Sequence, residues 1–278
     1  MPSDSIMRRW WRRHIVDVQT GTDAASAAYL AVTPVRVANR KAAIVLLTAP
    51  LVLTSLNYGT APDWLVSLLD GVGLDGFADR AREVFFTSGR QQFNTLMFWG
   101  VIEVLSYVLI PMLVIKLVLR ERVVDYGLRA KGIFRQGGTY VLLFAASLPF
   151  ILLASTTAGF QAKYPFYELS PGEAIWPRMV IWWLVYAAQF LGLEFFFRGF
   201  LVHGLKWRLG YMAVFAMIVP YNMLHYQKPV LEALAAIVGG WILGSLSLKT
   251  RSIWWGAMLH VGVAGTMDLL SLSHKGLL

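Results

Sequence analysis

The chain has 278 residues, of which 57% are hydrophobic and 15% charged, and its mean hydropathy is +0.56. Soluble domains carry nearer a quarter charged residues, so the composition excludes an ordinary soluble domain and indicates a polytopic helical membrane protein. Cysteine is absent, which excludes disulfides, thiolate catalysis and Cys-ligated metals. The net charge of +9 falls in short clusters beside apolar runs, a topology signal and not a nucleic-acid footprint, so no nucleic-acid partner is expected.

Residues 1–40 form a basic segment containing Arg8-Arg9-Trp10-Trp11-Arg12-Arg13. Asp17, Gln19, Thr20 and Asp23 come soon after this cluster, so the segment lacks the apolar core of a signal peptide. Two readings stay open: an interfacial segment with Trp at headgroup depth and Arg toward phosphate, or a disordered cytoplasmic tail.

Seven spans are expected, at residues 41–58, 93–119, 138–160, 176–205, 211–226, 230–248 and 252–272. The fold class is therefore all-α, a transmembrane helix bundle, with residues 41–119 as an N-terminal two-helix region and 120–278 as the core. Pro50, Pro111 and Pro149 fall inside the first three spans, which membrane helices tolerate. The fifth is short for a full crossing. The loop over residues 60–92 is too long for a tight turn and is expected to hold an interfacial helix.

Basic clusters test the orientation. Arg36, Arg40 and Lys41 precede the first span, and Arg120, Arg122, Arg129, Lys131 and Arg135 follow the second. Lys206 and Arg208 follow the fourth, and Lys249 and Arg251 the sixth. With seven spans all four clusters share one side, which places the N-terminus in the cytoplasm and the C-terminus outside. The expected location is a multi-pass position in a bacterial cytoplasmic membrane.

The fourth span carries Leu193-Glu194-Phe195-Phe196-Phe197-Arg198-Gly199, a carboxylate and a guanidinium in a greasy run. An ionisable side chain at bilayer depth costs about 2.5–17 kcal/mol depending on how it is measured, so it persists where it is paired and useful. Glu194 and Arg198 are four apart and share a helical face. His225 follows Tyr221 at the same spacing, and His260 lies deep in the last span. A carboxylate and two imidazoles can position a water and take its proton, giving a nucleophile for an amide carbonyl. Alternatively Glu194, His225 and His260 could be three ligands of a catalytic Zn²⁺. Gly239, Gly240, Gly244 and Ser245, with Gly256 and Gly262, suggest tight packing of the last helices that brings His225 and His260 near each other.

These motifs resemble the CPBP family of intramembrane proteases, the CAAX-protease and bacteriocin-processing group also called Abi or type II CAAX prenyl endopeptidases. That family shows Glu-Glu-x-x-x-Arg, then aromatic-x-x-x-His, then His-x-x-x-Asn/Asp. Here the first stands as Leu193-Glu194-Phe195-Phe196-Phe197-Arg198, the second runs from Tyr221 to His225, and the third begins at His260 after Thr250-Arg251-Ser252-Ile253. Glu121-Arg122-Val123-Val124-Asp125-Tyr126-Gly127-Leu128 also looks like the loop that precedes the family core. The resemblance implies an intramembrane endopeptidase with Glu194, His225 and His260 as catalytic residues, supported by Arg198 and Tyr221. It implies a membrane-embedded or lipid-anchored peptide substrate, CAAX-type or other, and it makes residues 120–278 the protease core.

Two positions depart from the pattern. Leu193 stands where the first glutamate would, and Ala264 where the Asn or Asp would. Either Glu194 serves as base, or the chain is a catalytically weakened relative that holds a membrane peptide or protein without cutting it. Asp268 lies two turns beyond His260 and is expected near the interface at the helix end. A proton-relaying transporter is a third reading, which the lack of an evident inverted repeat weakens.

Overall fold

In the computed structural model, which describes residues 5–170 and 172–278, the chain is helical, with an isolated β-bridge but no strand among the described residues. Helix α1 covers residues 6–32 and α2 covers Val35–Gly59. Short helices α3 (Pro62–Gly71) and α4 (Asp75–Arg82) fill the expected interfacial loop. Then come α5 (Gln91–Leu119), α6 (Ile133–Ser155), the short α7 (Ala158–Lys163), α8 (Arg178–Leu209), α9 (Met212–Met223), α10 (Val230–Thr250) and α11 (Trp254–His274).

Five of these helices, α2, α5, α6, α8 and α10, are long and apolar enough to cross a bilayer. They correspond to five of the seven expected spans, and the protein is an integral membrane protein. The remaining two differ for separate reasons. Helix α9 has 12 residues, about 18 Å of rise against a hydrocarbon core of about 30 Å. Helix α11 has 21 residues, but two tryptophans, His260, Asp268 and His274 dilute its apolar character.

The contacts divide the chain into two compact units. The first comprises Met1–Pro50, Pro111–Leu142 and Glu194–Gly256. Within it α1 is an ordered helix docked on the protein, so a disordered tail does not describe it. Asp23 Oδ1 accepts from the Tyr211 backbone N–H at 2.7 Å, and Ser26 Oγ donates to the Trp207 carbonyl at 3.2 Å. Trp11 meets Trp241 edge-on, while His14, Ile15 and Val18 are buried. Arg8, Arg9, Arg12 and Arg13 stay exposed, as an amphipathic helix requires. The first four residues of the basic segment lie outside the described part.

Glycines in the same unit set the approach of α9 and α10. A Cβ on Gly240 would stand 3.1 Å from Ile218, and one on Gly244 would stand 2.8 Å from Val214, whereas Gly239 faces open space. The loop at Tyr126–Gly127 is held on three sides. Gly127 adopts φ +82°, its carbonyl accepts from the Ile253 N–H at 2.8 Å, and Leu128 bridges Ser252. Tyr126 donates to Glu121, which also pairs with Lys41 at 2.7 Å. Burial and the Glu121 carboxylate push the Tyr126 hydroxyl well above the ordinary phenol value.

The second unit comprises Leu51–Ile110, Leu143–Leu193 and Ala257–Leu278. Its core joins Tyr167, Met179, Trp182, Tyr186, Ala264 and Leu272. Helices α5 and α8 approach closely at two glycines. A Cβ on Gly100 would collide with Val185, and one on Gly192 would lie 3.3 Å from Tyr107. Gly262 seats α11 against Phe144.

Candidate active site

Helical spacing brings the first pair together as the sequence predicts. Arg198 Nη1 lies 2.9 Å from Glu194 Oε1, with the two side chains 0% and 1% exposed. A buried pair of this kind offsets its desolvation only with good geometry and further partners. Arg198 obtains one from α9: its guanidinium lies over the Tyr221 ring, 3.9 Å from the centroid. A desolvated cation–π contact contributes about 2 kcal/mol. Phe197 packs edge-on against the same ring. Residues 195–201 adopt a π-helical turn, a widened geometry frequent at functional sites.

His225 lies in the turn after α9, two residues beyond the last residue of the helix expected to carry it. Its Nδ1 is 3.2 Å from the Tyr221 carbonyl, and its ring is tilted against the Tyr221 ring at 4.9 Å. A carbonyl only accepts, so this contact assigns the proton to Nδ1 and makes Nε2 the basic nitrogen of the neutral ring. Tyr221 thus touches both Arg198 and His225.

Two features of this unit were not singled out in the sequence. The first turn of α11 abuts the Glu194 carboxylate at Gly256, where a Cβ would stand 2.6 Å from Oε2. Behind Arg198 runs a chain of hydrogen bonds. Lys206 Nζ lies 3.0 Å from His203 Nδ1, His203 Nε2 lies 3.1 Å from Ser247 Oγ, and Ser247 Oγ donates to the Arg198 carbonyl at 3.2 Å. The ammonium at one end can only donate and the carbonyl at the other only accept, which fixes the direction of every bond between them. His203 is itself a buried polar residue in the same apolar run as Glu194, so its position, though not its partners, was open to reading.

His260 belongs to the second unit, where its ring stacks on Phe190 of α8 at 5.4 Å. Gly256 closes on Glu194 in the first unit, and Gly262 packs on Phe144 in the second. Gln189, next to Phe190 in sequence, donates to Glu103 Oε2 at 3.0 Å, and Trp99 Nε1 donates to Glu103 Oε1 at 3.0 Å. Asp268 is fully buried and accepts from Trp183 Nε1 at 3.0 Å. It is thus packed inside the protein, against Trp183 of α8. Ala264, whose methyl offers no hydrogen bond, sits in the core cluster of this unit.

Among the described residues no group of three or more His, Asp or Glu side chains is arranged to hold a metal ion.

Residues 175–266 match the family model described as type II CAAX prenyl endopeptidase Rce1-like. The matched stretch is a minority of the chain but holds Glu194, Arg198, Tyr221, His225 and His260. No curated protein and no solved structure matches the chain.

Proposed function

We propose, taking the Rce1-like domain at residues 175–266 as premise, that the protein is an intramembrane endopeptidase cleaving a membrane-embedded or lipid-anchored peptide. The matched family is one of CAAX-type intramembrane proteases. The observation that carries the reading is the buried Glu194–Arg198 pair joined through Tyr221 to a histidine whose Nε2 is basic. In this reading Glu194 and His225 act on the water, and the role of His260 rests on the order of the motifs. The basic clusters support a cytoplasmic N-terminus, and with seven crossings an outside C-terminus. The test is cleavage of prenylated and transmembrane peptides by purified protein in liposomes. Glu194→Ala, His225→Ala and His260→Ala are each expected to abolish it, and cleavage indifferent to all three substitutions rejects the assignment. A chelator test separates the metal-free form of this reading from the zinc-dependent one.

Leu193 and the burial of Ala264 among aromatic residues favour a second reading, a scaffold that binds such a peptide without cutting it. It expects peptide binding with no product, and product that His225→Ala eliminates decides against it.

A further inference from the structure

The first unit gathers positive charge behind the Glu194–Arg198 pair that the protease reading leaves unused. Helix α8 has 32 residues, about 48 Å of rise against a hydrocarbon core of about 30 Å, so Lys206 in its last turn reaches headgroup depth. Arg251 directly follows Thr250, the last residue of α10, a second membrane-crossing helix. The antiparallel bridge between Leu128 and Ser252 sets Arg129 beside Arg251, because the two flank it on the same side.

Hydrogen bonds tie these cations together. The Arg251 N–H donates to the Ser247 carbonyl at 2.8 Å, Ser247 Oγ lies 3.1 Å from His203 Nε2, and His203 Nδ1 lies 3.0 Å from Lys206 Nζ. Arg251 and Lys206 thus stand on either side of a buried His203–Ser247 pair, all within the first unit. Lys206 feels the charges of Arg251, Lys41 and Arg129, with that of Asp125 opposing them.

Counter-charge is short. Glu121 is held by Lys41 and Tyr126, and Asp125 is shared between Arg122 and Arg129. Lys206 and Arg251 form no ion pair among the described residues, and the Lys206 ammonium donates to a neutral imidazole nitrogen instead. Like charges gathered this way repel unless an anion sits among them. Arg251 is also held at φ +54°, a left-handed conformation that glycine adopts freely and other residues only at a cost. The chain places an arginine there nonetheless.

We propose that Lys206, Arg251 and Arg129 hold the phosphate of an anionic phospholipid headgroup at the basic end of the first unit. Guanidinium forks match phosphate oxygens in pairs, and the ammonium adds a point charge with donors left over after His203. The site's depth at the ends of two membrane-crossing helices favours a lipid over a soluble anion, since basic pockets between spans meet headgroups there. The bound phosphate fixes Lys206 and, through His203 and Ser247, steadies the Arg198 carbonyl, so occupancy reaches the residue that pairs with Glu194. The inference goes beyond the endopeptidase reading and does not depend on it.

The experiment measures thermal unfolding of the full chain in neutral detergent with added phosphatidylglycerol, phosphatidylcholine or inorganic phosphate, beside native mass spectrometry of retained lipid. Phosphatidylglycerol is expected to remain bound and to raise the melting temperature by about 5 °C at saturation. Phosphatidylcholine and inorganic phosphate are expected to do neither. Arg251→Asn removes the charge but keeps a residue that tolerates the left-handed conformation. It is expected to match the wild type in detergent alone and to lose most of the shift. Lys206→Gln is expected to lose the shift as well; should it also melt lower without lipid, Arg251→Asn decides. Arg135→Gln, at an exposed position outside the cluster, is the control and is expected to keep the shift. An equal loss in Arg135→Gln means diffuse attraction to an anionic surface, and the inference falls. It falls too if Arg251→Asn keeps the full shift, or if phosphatidylcholine or inorganic phosphate reproduces it. Melting is read without peptide, so the protease reading stands or falls separately.

Discussion

Gly256 and the Glu194 carboxylate are in such close contact that no side chain fits between them. A Cβ at 256 would stand 2.6 Å from Oε2 and 3.3 Å from Cδ, so the buried carboxylate would have to shift to make room. Gly256→Ala is therefore expected to displace the carboxylate and cut peptide cleavage at least about 10-fold, since small misplacements in a site cost up to about 10². Gly239→Ala, on an open face of α10, is the matched control and is expected to keep full activity.

The Glu194–Arg198 pair gives a thermodynamic prediction. Removing one partner of a buried pair strands the other charge and costs about 3–5 kcal/mol. Glu194→Ala and Arg198→Ala are each expected to destabilise by this amount, and the double variant by less than the sum. Thermal unfolding in detergent, read as a double-mutant cycle, measures the coupling.

Ser247 closes the chain from Lys206 to the Arg198 carbonyl. Ser247→Ala leaves the His203 N–H and that carbonyl without this partner, at a cost of about 1–3 kcal/mol. Ser245→Ala instead removes a contact to Tyr211 and a bond to the Trp241 carbonyl. Of the two, only the Ser247 variant is expected to alter the cleavage rate along with stability.

The loop before α8 gives the pH dependence. Burial disfavours ionisation of Glu173, but the Tyr167 hydroxyl, the Ser170 N–H and Arg178 outweigh it and hold its carboxyl below the ordinary range. A depressed carboxyl stabilises the fold above its unfolded value, about 4.3, and that contribution disappears as pH falls through the folded value. Tyr167 runs the other way. Burial and the Glu173 carboxylate push it up to about 12, so its contribution is complete below about 10 and lost as pH rises through about 12. Limited proteolysis of this loop across pH is expected to show an acid limb that Glu173→Gln flattens.

Local helical geometry made part of the site readable without coordinates. Glu194 with Arg198 and Tyr221 with His225 are both four-residue spacings, and both pairs are in contact. The motif at Glu121–Leu128 and the turn at 250–253 could be recognised singly, but their mutual docking at Gly127 and Ile253 could not. The burial of Asp268 was not legible because it depends on what packs beside it, here Trp183, 85 positions away.

The order of residues was enough to establish the class, a helical membrane protein, together with the pairs that one turn of helix brings together. Both rest on short-range physics: apolar runs partition into lipid, and the helical repeat aligns residues four apart. Only the folded chain revealed that Arg198 rests on Tyr221, that α1 folds back onto Trp207, Tyr211 and Trp241, and that Gly256 closes on Glu194. Each of these joins distant segments, and such contacts are set by which helix faces meet when the chain closes on itself, which the pattern of any one helix does not encode.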